Sequence, residues 1–307
     1  MDDLSALGGQ TVLITGAGGM LGRAFVEALG TRVPTAKVLA RNHAQLDVTD
    51  HARVMGEARE RPNIIVHCAG LAIAEQCERE PGAARHAHVT GTANVARLAR
   101  EVSARVLFPQ SVLIYDGREI PVTEQTLPSP SSVYGHAKLE AEGIVLGCTP
   151  RPLVVTMAGF FGGDDKDKNF VGQITRTFEQ MLTEGRTEIE VGNRIWQPTY
   201  TLDHANNCLL LLARGRQGRY MMGSMGEATF HDVAHACADM LGLGNRIRII
   251  ACASEPFNDR ERVKRPPRMV ASNARLDAEG LNRQRPWRDA LREYLQRPWF
   301  DRLRHAS

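Results

Sequence analysis

Tyr134 and Lys138 stand four positions apart in Tyr-Gly-His-Ala-Lys, and Ser111 follows an apolar run upstream of them. On a helix, positions i and i+4 share one face about a turn apart. An ammonium on that face favours the phenolate, so Lys138 is expected to draw the Tyr134 pKa down from about 10 toward working pH. A tyrosine so tuned can protonate a carbonyl oxygen, with Lys138 as tuner and hydrogen-bond donor. The same pair also fits an ordinary amphipathic face with a solvated lysine. The N-terminal elements decide between the two.

Thr11-Val-Leu-Ile-Thr15 is a short β-branched apolar run of the kind buried parallel strands show. Gly16-Ala-Gly-Gly19-Met20-Leu21-Gly22 follows at once, then an amphipathic stretch from Arg23 to Leu29. Gly16, Gly19 and Gly22 thus fall on a strand–turn–helix. Small residues there let the backbone approach a pyrophosphate, whose charge the helix N-terminus meets. The spacing is G-x-x-G-x-x-G rather than G-x-G-x-x-G. In this context it reads as a dinucleotide site that takes in Met20 and Leu21.

The second strand, Lys37-Val-Leu-Ala40, runs into Arg41-Asn-His43, where NAD enzymes carry an acid for the ribose hydroxyls. A guanidinium suits a 2′-phosphate, so NADPH is favoured and NADH still admitted. The plainer reading of Arg41 is a solvated loop side chain. Asp50 is placed to cap a helix through Ala58. Pro62 to His67 reads as a buried strand entering Cys68-Ala69-Gly70, and residues 82 to 101 carry a long helical pattern. Arg105-Val-Leu-Phe108 is the next strand and ends at Pro109-Gln110-Ser111. Such alternation predicts an α/β fold, a Rossmann-type doubly wound parallel sheet with ligands outside the strand C-termini. Gly16, Arg41, Cys68 and Ser111 all fall at such ends.

Bulk properties narrow the classes. The 307 residues are 43% hydrophobic and 24% charged, with a net charge of +3, enough for a proper core and no argument for nucleic acid or membrane. Six cysteines are scattered without C-x-x-C or metal-ligand spacing, so free thiols, a reducing compartment and no metal are expected. His86 and His88 are read as structural. The start at Asp2 and Asp3 shows no signal-peptide pattern, and the run Cys208 to Ala213 is too short to span a bilayer. A cytoplasmic location is expected.

Further pieces are Gln45-Leu-Asp47-Val48-Thr-Asp50, Ile64-Ile-Val-His-Cys-Ala69, Val89-Thr-Gly-Thr-Ala-Asn94, Tyr115-Asp-Gly117, Asn169-Phe-Val171 and Gln197-Pro-Thr-Tyr200. Asn273-Ala-Arg-Leu276 and Trp287 to Leu295 complete the set. With the glycine turn, Ser111, Tyr134 and Lys138, the chain resembles the extended short-chain dehydrogenase/reductases. Within them it is most similar to the dTDP-4-dehydrorhamnose reductase branch. The resemblance implies catalysis by Ser111, Tyr134 and Lys138, adenine contacts at Asp47 and Val48, and nicotinamide-side contacts at Cys68, Ala69 and Gly70. It implies hydride transfer to the C4 ketone of a nucleotide-linked sugar while Tyr134 protonates the oxygen. A homodimer is compatible with it.

The chain also departs from that branch. Gln110-Ser-Val112-Leu-Ile-Tyr115 replaces the usual Ser-Thr-Asp-Tyr-Val-Phe, His88 replaces an Asn, and Asn193-Arg194-Ile-Trp196-Gln-Pro-Thr199 replaces Asp-Gln-x-Gly-x-Pro-Thr. These positions shape the sugar pocket, so a sugar other than the rhamnose precursor is expected.

Leu153-Val-Val-Thr156 reads as the sixth sheet strand, and Leu202 to Leu212 as a helix returning to the cofactor domain. Residues 1–157, with about 196–223 returning, are assigned to that domain; residues 158–195 and 224–307 form a smaller substrate-binding lobe. Arg260, Arg262, Lys264, Arg265 and Arg268 form a basic cluster, either a solvated loop or a clamp for the substrate diphosphate. Candidate substrate contacts are Ser111, Val112, Phe161, Asn169, Arg194, Trp196 and Arg265, with core packing the alternative for the two aromatics. The leading expectation is an NADP(H)-dependent reductase of a nucleotide-diphospho-4-keto-6-deoxysugar. Alternatives are an epimerase or dehydratase of the same superfamily, or a non-catalytic NADP-binding regulatory subunit resembling the methionine adenosyltransferase β subunit. A dehydratase wants an acid pair after the Ser, where Val112 and Leu113 stand.

Overall fold

The computed structural model describes residues 3–253, 263 and 265–304. The apolar runs become a six-stranded sheet: β1 (Thr11–Thr15), β2 (Lys37–Arg41), β3 (Ile64–His67), β4 (Arg105–Ser111), β5 (Leu153–Met157) and Gly218–Met222. Its order is Gly218–Met222, β5, β4, β3, β1, β2, and every pairing is parallel. The chain winds outward in both directions from β1 and β3, so the ends of those two strands border the crevice where such sheets bind ligands. Leu153–Met157 proves to be the fifth sheet strand along the chain. Gly218–Met222 is the sixth, and Gly218 and Arg219 at its start hide it from an apolar-run search.

Helices cover both faces: α1 (Met20–Arg32), α2 (His51–Gly56), α3 (Ala74–Arg79), α4 (Pro81–Arg85), α5 (Gly91–Glu101), α6 (Val133–Cys148), α7 (Phe170–Glu184), α8 (Thr201–Ala213) and α9 (Phe230–Met240). On one face Phe25, Ala28 and Leu29 of α1 meet Cys208, Leu209 and Leu212 of α8 over the sheet. On the other, Leu13, Leu39, Ile65 and Val106 pack under Val95 and Leu98 of α5. A separate apolar cluster joins Phe178 and Met181 of α7, Val233 and Cys237 of α9, and Leu291 and Tyr294 of the helix Trp287–Leu295. Burying one such large side chain contributes about 1.5–3 kcal/mol.

Asp50 caps α2 by accepting from the Arg53 N–H, as expected, and a 3₁₀ turn carries the chain on to Glu60. The helical run expected over 82–101 is continuous, but His86–Thr90 between α4 and α5 is one π-helical turn. Among the described residues no helix is long and apolar enough to cross a membrane.

Candidate functional site

The turn after β1 is built for close backbone approach. Gly16 has φ +67°, and a Cβ there would lie 2.7 Å from the Ala69 nitrogen. A Cβ on Gly22 would lie 2.7 Å from Ala17 Cα, so α1 can press against the turn only with glycine at that position. Gly19 is the N-cap of α1 and no side chain caps the helix, which leaves first-turn N–H groups for an anion. This cradle fits a dinucleotide pyrophosphate.

Arg41 ends β2 and is not a solvated loop side chain. Its Nε and Nη2 donate to the two Glu57 carboxylate oxygens at 2.9 and 3.2 Å. The fork is thereby held in one orientation, and Glu57, which the sequence did not single out, holds it. Asp47 accepts from the Thr49 N–H and hydroxyl at 2.9 and 2.8 Å, while Val48 is buried against Gly91. The Cys68 thiol is pushed up to about 12 by burial and stays protonated.

Ser111 ends β4, where its hydroxyl accepts from the Leu113 N–H at 3.2 Å and stands close enough to the Tyr134 phenol to favour the phenolate. Ser132 caps α6 by accepting from the Gly135 N–H at 3.0 Å, and Glu78 holds the Val133 N–H at 2.6 Å. Tyr134 therefore sits in a fixed first turn, with Lys138 one turn further on. The expected depression of the Tyr134 pKa is not found. Burial pushes the phenol up to about 12, opposed by the nearby Ser111 side chain. Lys138 instead donates its ammonium to the Pro109 carbonyl at 2.6 Å and lies 3.8 Å over the Phe108 ring. Its own pKa is drawn down to about 7 by burial. Desolvation is the largest effect on the phenol, and the Lys138 ammonium is turned to the Pro109 carbonyl of β4.

Behind the site a directed hydrogen-bond chain ties the crevice walls together. The Ala69 N–H donates to Thr15 Oγ1, which pairs with His67 Nδ1 at 2.8 Å. His67 Nε2 lies 3.1 Å from Thr92 Oγ1, and that hydroxyl donates to the His88 carbonyl. His67 is neutral, held down near 3 by burial, so its proton belongs on Nε2. The His88 ring meets the Tyr134 ring edge-on at 5.4 Å and donates from Nε2 to the Leu71 carbonyl. His88 is thus structural in the sense expected, and it also forms a wall of the Tyr134 pocket.

The proposed sugar contacts divide. Phe161 is fully buried and stacked on Tyr200 at 5.4 Å, so it packs the core instead of lining a pocket. Trp196 is 6% exposed, edge-on to Phe170 and Phe230, and also belongs to that core. Val112 is buried with Ile114 and Tyr115. Asn169 donates to the Phe160 carbonyl at 2.9 Å and touches Met20 of the glycine turn. Arg194 is buried, with its guanidinium 5.8 Å from the Phe230 ring. Arg265 pairs with Glu75 of α3 at 2.6 Å, and Arg268 forks onto Glu227 at 2.7 and 2.8 Å. Arg260, Arg262 and Lys264 lie outside the described residues.

Comparison with known proteins agrees with this architecture. A dTDP-4-keto-6-deoxy-D-glucose reductase of Streptomyces niveus is 32% identical over 75% of this chain and 78% of its own. A methionine adenosyltransferase 2 subunit beta of Xenopus tropicalis is 28% identical over 96% of this chain and 89% of its own. The crystal structure of a dTDP-4-dehydrorhamnose reductase from Clostridium acetobutylicum superposes with a TM-score of 0.84 at 26% identity, covering 93% of this chain and 98% of the other. The family model described as the RmlD substrate binding domain matches residues 10–299, and the chain belongs to that family.

Proposed function

We propose that this chain is an NADPH-dependent oxidoreductase that reduces the C4 ketone of a nucleotide-diphospho-4-keto-6-deoxysugar, in deoxysugar biosynthesis. The observation that carries the reading is that Ser111, at the C-terminal end of β4, stands close enough to Tyr134 in the first turn of α6 to favour its phenolate, with Lys138 one turn further on. NADPH, when bound, supplies the hydride to C4. Gly16, Gly19, Met20, Leu21 and Gly22 would hold its pyrophosphate, Arg41 its 2′-phosphate, Asp47 and Val48 its adenine, and Cys68, Ala69 and Gly70 its nicotinamide side.

Tyr134 keeps its proton in the buried site until a carbonyl oxygen beside it gains negative charge. Ser111 donates a hydrogen bond to that oxygen, and the Tyr134 proton then moves onto it. The phenolate left behind is stabilised by Ser111 and the Lys138 ammonium. Arg194 and Arg265 remain proposed partners for the substrate phosphates. The six cysteines, all free, suit a reducing compartment, and we place the enzyme in the cytoplasm, with a homodimer part of the proposal.

The likeness to the methionine adenosyltransferase subunit favours a second reading, an NADP-binding partner protein without turnover. Incubation with NADPH and a panel of nucleotide-diphospho-4-keto-6-deoxysugars, followed at the nicotinamide absorbance, separates the two. Loss of absorbance with one sugar supports the reductase. Tight NADPH binding with no loss on any sugar supports the second reading.

A further inference from the structure

Gln110 is fully buried at the end of β4, between Pro109 and Ser111, and its carboxamide makes three bonds. Oε1 accepts from the Ser111 N–H at 2.8 Å. Nε2 donates to the Lys138 carbonyl at 3.0 Å and to Glu142 Oε2 at 2.6 Å. Glu142, itself 1% exposed, accepts on Oε1 from Arg219 of the sixth sheet strand. We infer that Gln110, braced by the Glu142–Arg219 ion pair, is a positioning residue that locks Ser111 to Lys138 and holds the Glu142 carboxylate one helical turn from the lysine. The inference rests on the reading of Ser111, Tyr134 and Lys138 as the catalytic set.

The residue types explain the arrangement. Only a carboxamide offers one acceptor and two donors in a plane, so neither a carboxylate nor a hydroxyl could serve all three partners. A buried carboxylate needs donors on both oxygens, and Gln110 and Arg219 supply one each. Lys138 is consequently tied to β4 at both ends, through Nζ to Pro109 and through its carbonyl to Gln110. The charged and titratable groups facing Lys138 come from several elements. Cys68 follows β3 but its thiol is held protonated, and His67 and His88 are held neutral by burial. Glu142, on the same helix, supplies the fixed negative charge among them and opposes the burial of the ammonium.

Two variants of the full chain test this, Glu142→Gln and Gln110→Met. The chain has five lysines, so ε-13C-lysine labelling gives a spectrum simple enough to titrate Lys138, assigned with Lys138→Met. Glu142→Gln keeps a hydrogen-bonding side chain but loses the charge, and the Lys138 midpoint should fall by about one pH unit. In Gln110→Met the unheld carboxylate turns toward Arg219, and the midpoint should fall as well. With a turned-over keto-sugar, Gln110→Met should lower kcat by about 10- to 100-fold, as misplacement of a catalytic group does, with KM and NADPH Kd within about twofold. An unmoved Lys138 midpoint in either variant, or kcat within about twofold of wild type, overturns the inference. If the wild-type chain reduces no keto-sugar, the proposed function fails while the lysine titration still decides the role of Gln110.

Discussion

Gly22→Ala is the sharpest single-atom perturbation of the dinucleotide cradle. The added methyl would lie 2.7 Å from Ala17 Cα and 2.9 Å from the Gly16 carbonyl carbon. Carbon atoms pack at about 3.5–4.0 Å, so α1 and the turn must separate by roughly 1 Å, and both neighbours are backbone that cannot rotate aside. Overpacking of this size costs about 1–3 kcal/mol. If that strain falls on the turn conformation that binds the pyrophosphate, NADPH Kd should rise about 5- to 100-fold. Gly30 is an internal control on the same helix, because a Cβ there meets nothing within 4 Å. Gly30→Ala should leave NADPH binding unchanged and stabilise the fold by about 0.4–1 kcal/mol. Quenching of intrinsic fluorescence by NADPH, with thermal melts of both variants, measures the two effects. Wild-type affinity in Gly22→Ala, or equal losses in both variants, would refute the reasoning.

Arg41→Ala should raise the KM for NADPH about 10- to 100-fold and spare NADH, because its charge-assisted bonds exist only with the 2′-phosphate; equal losses in both would remove Arg41 from that role. Burial sets the Lys138 ammonium near 7, so the protonated form is lost as pH rises through about 7. If the phenolate needs that charge, kcat/KM for the keto-sugar declines on the alkaline side, and a flat alkaline profile would contradict it. Arg297 bridges Glu27 of α1 and Asp164 at 3.0 Å each, so Arg297→Ala should lower stability by about 1–2 kcal/mol in thermal melts. An unchanged melting temperature would show that the bridge is too solvated to matter.

What was legible in the sequence was local. The apolar run Thr11–Thr15 and its glycine turn, the Asp50 cap and the four-residue Tyr134–Lys138 spacing each sit within one element, where period and residue type carry the signal. What escaped depends on chain segments far apart. Glu57 lies 16 residues from Arg41, and Gln110 meets Glu142 across 32. The downward pull expected on the Tyr134 phenol came from helix spacing alone, which says nothing of how deeply the helix is buried. The π turn at His86–Thr90 leaves the apolar pattern on either side intact and so has no sequence signature. Phe161 and Trp196 lie in short strands between larger elements, too short for any period to show which way a ring faces.

The central claim is that Tyr134 delivers the proton in a ketone reduction. Tyr134→Phe keeps the ring against His88 and removes only the hydroxyl beside Ser111. Oxidation of NADPH by the accepted keto-sugar, followed at the nicotinamide absorbance, should slow by about 10²–10⁴ while NADPH Kd stays within about twofold. A near-normal rate in Tyr134→Phe would contradict the account.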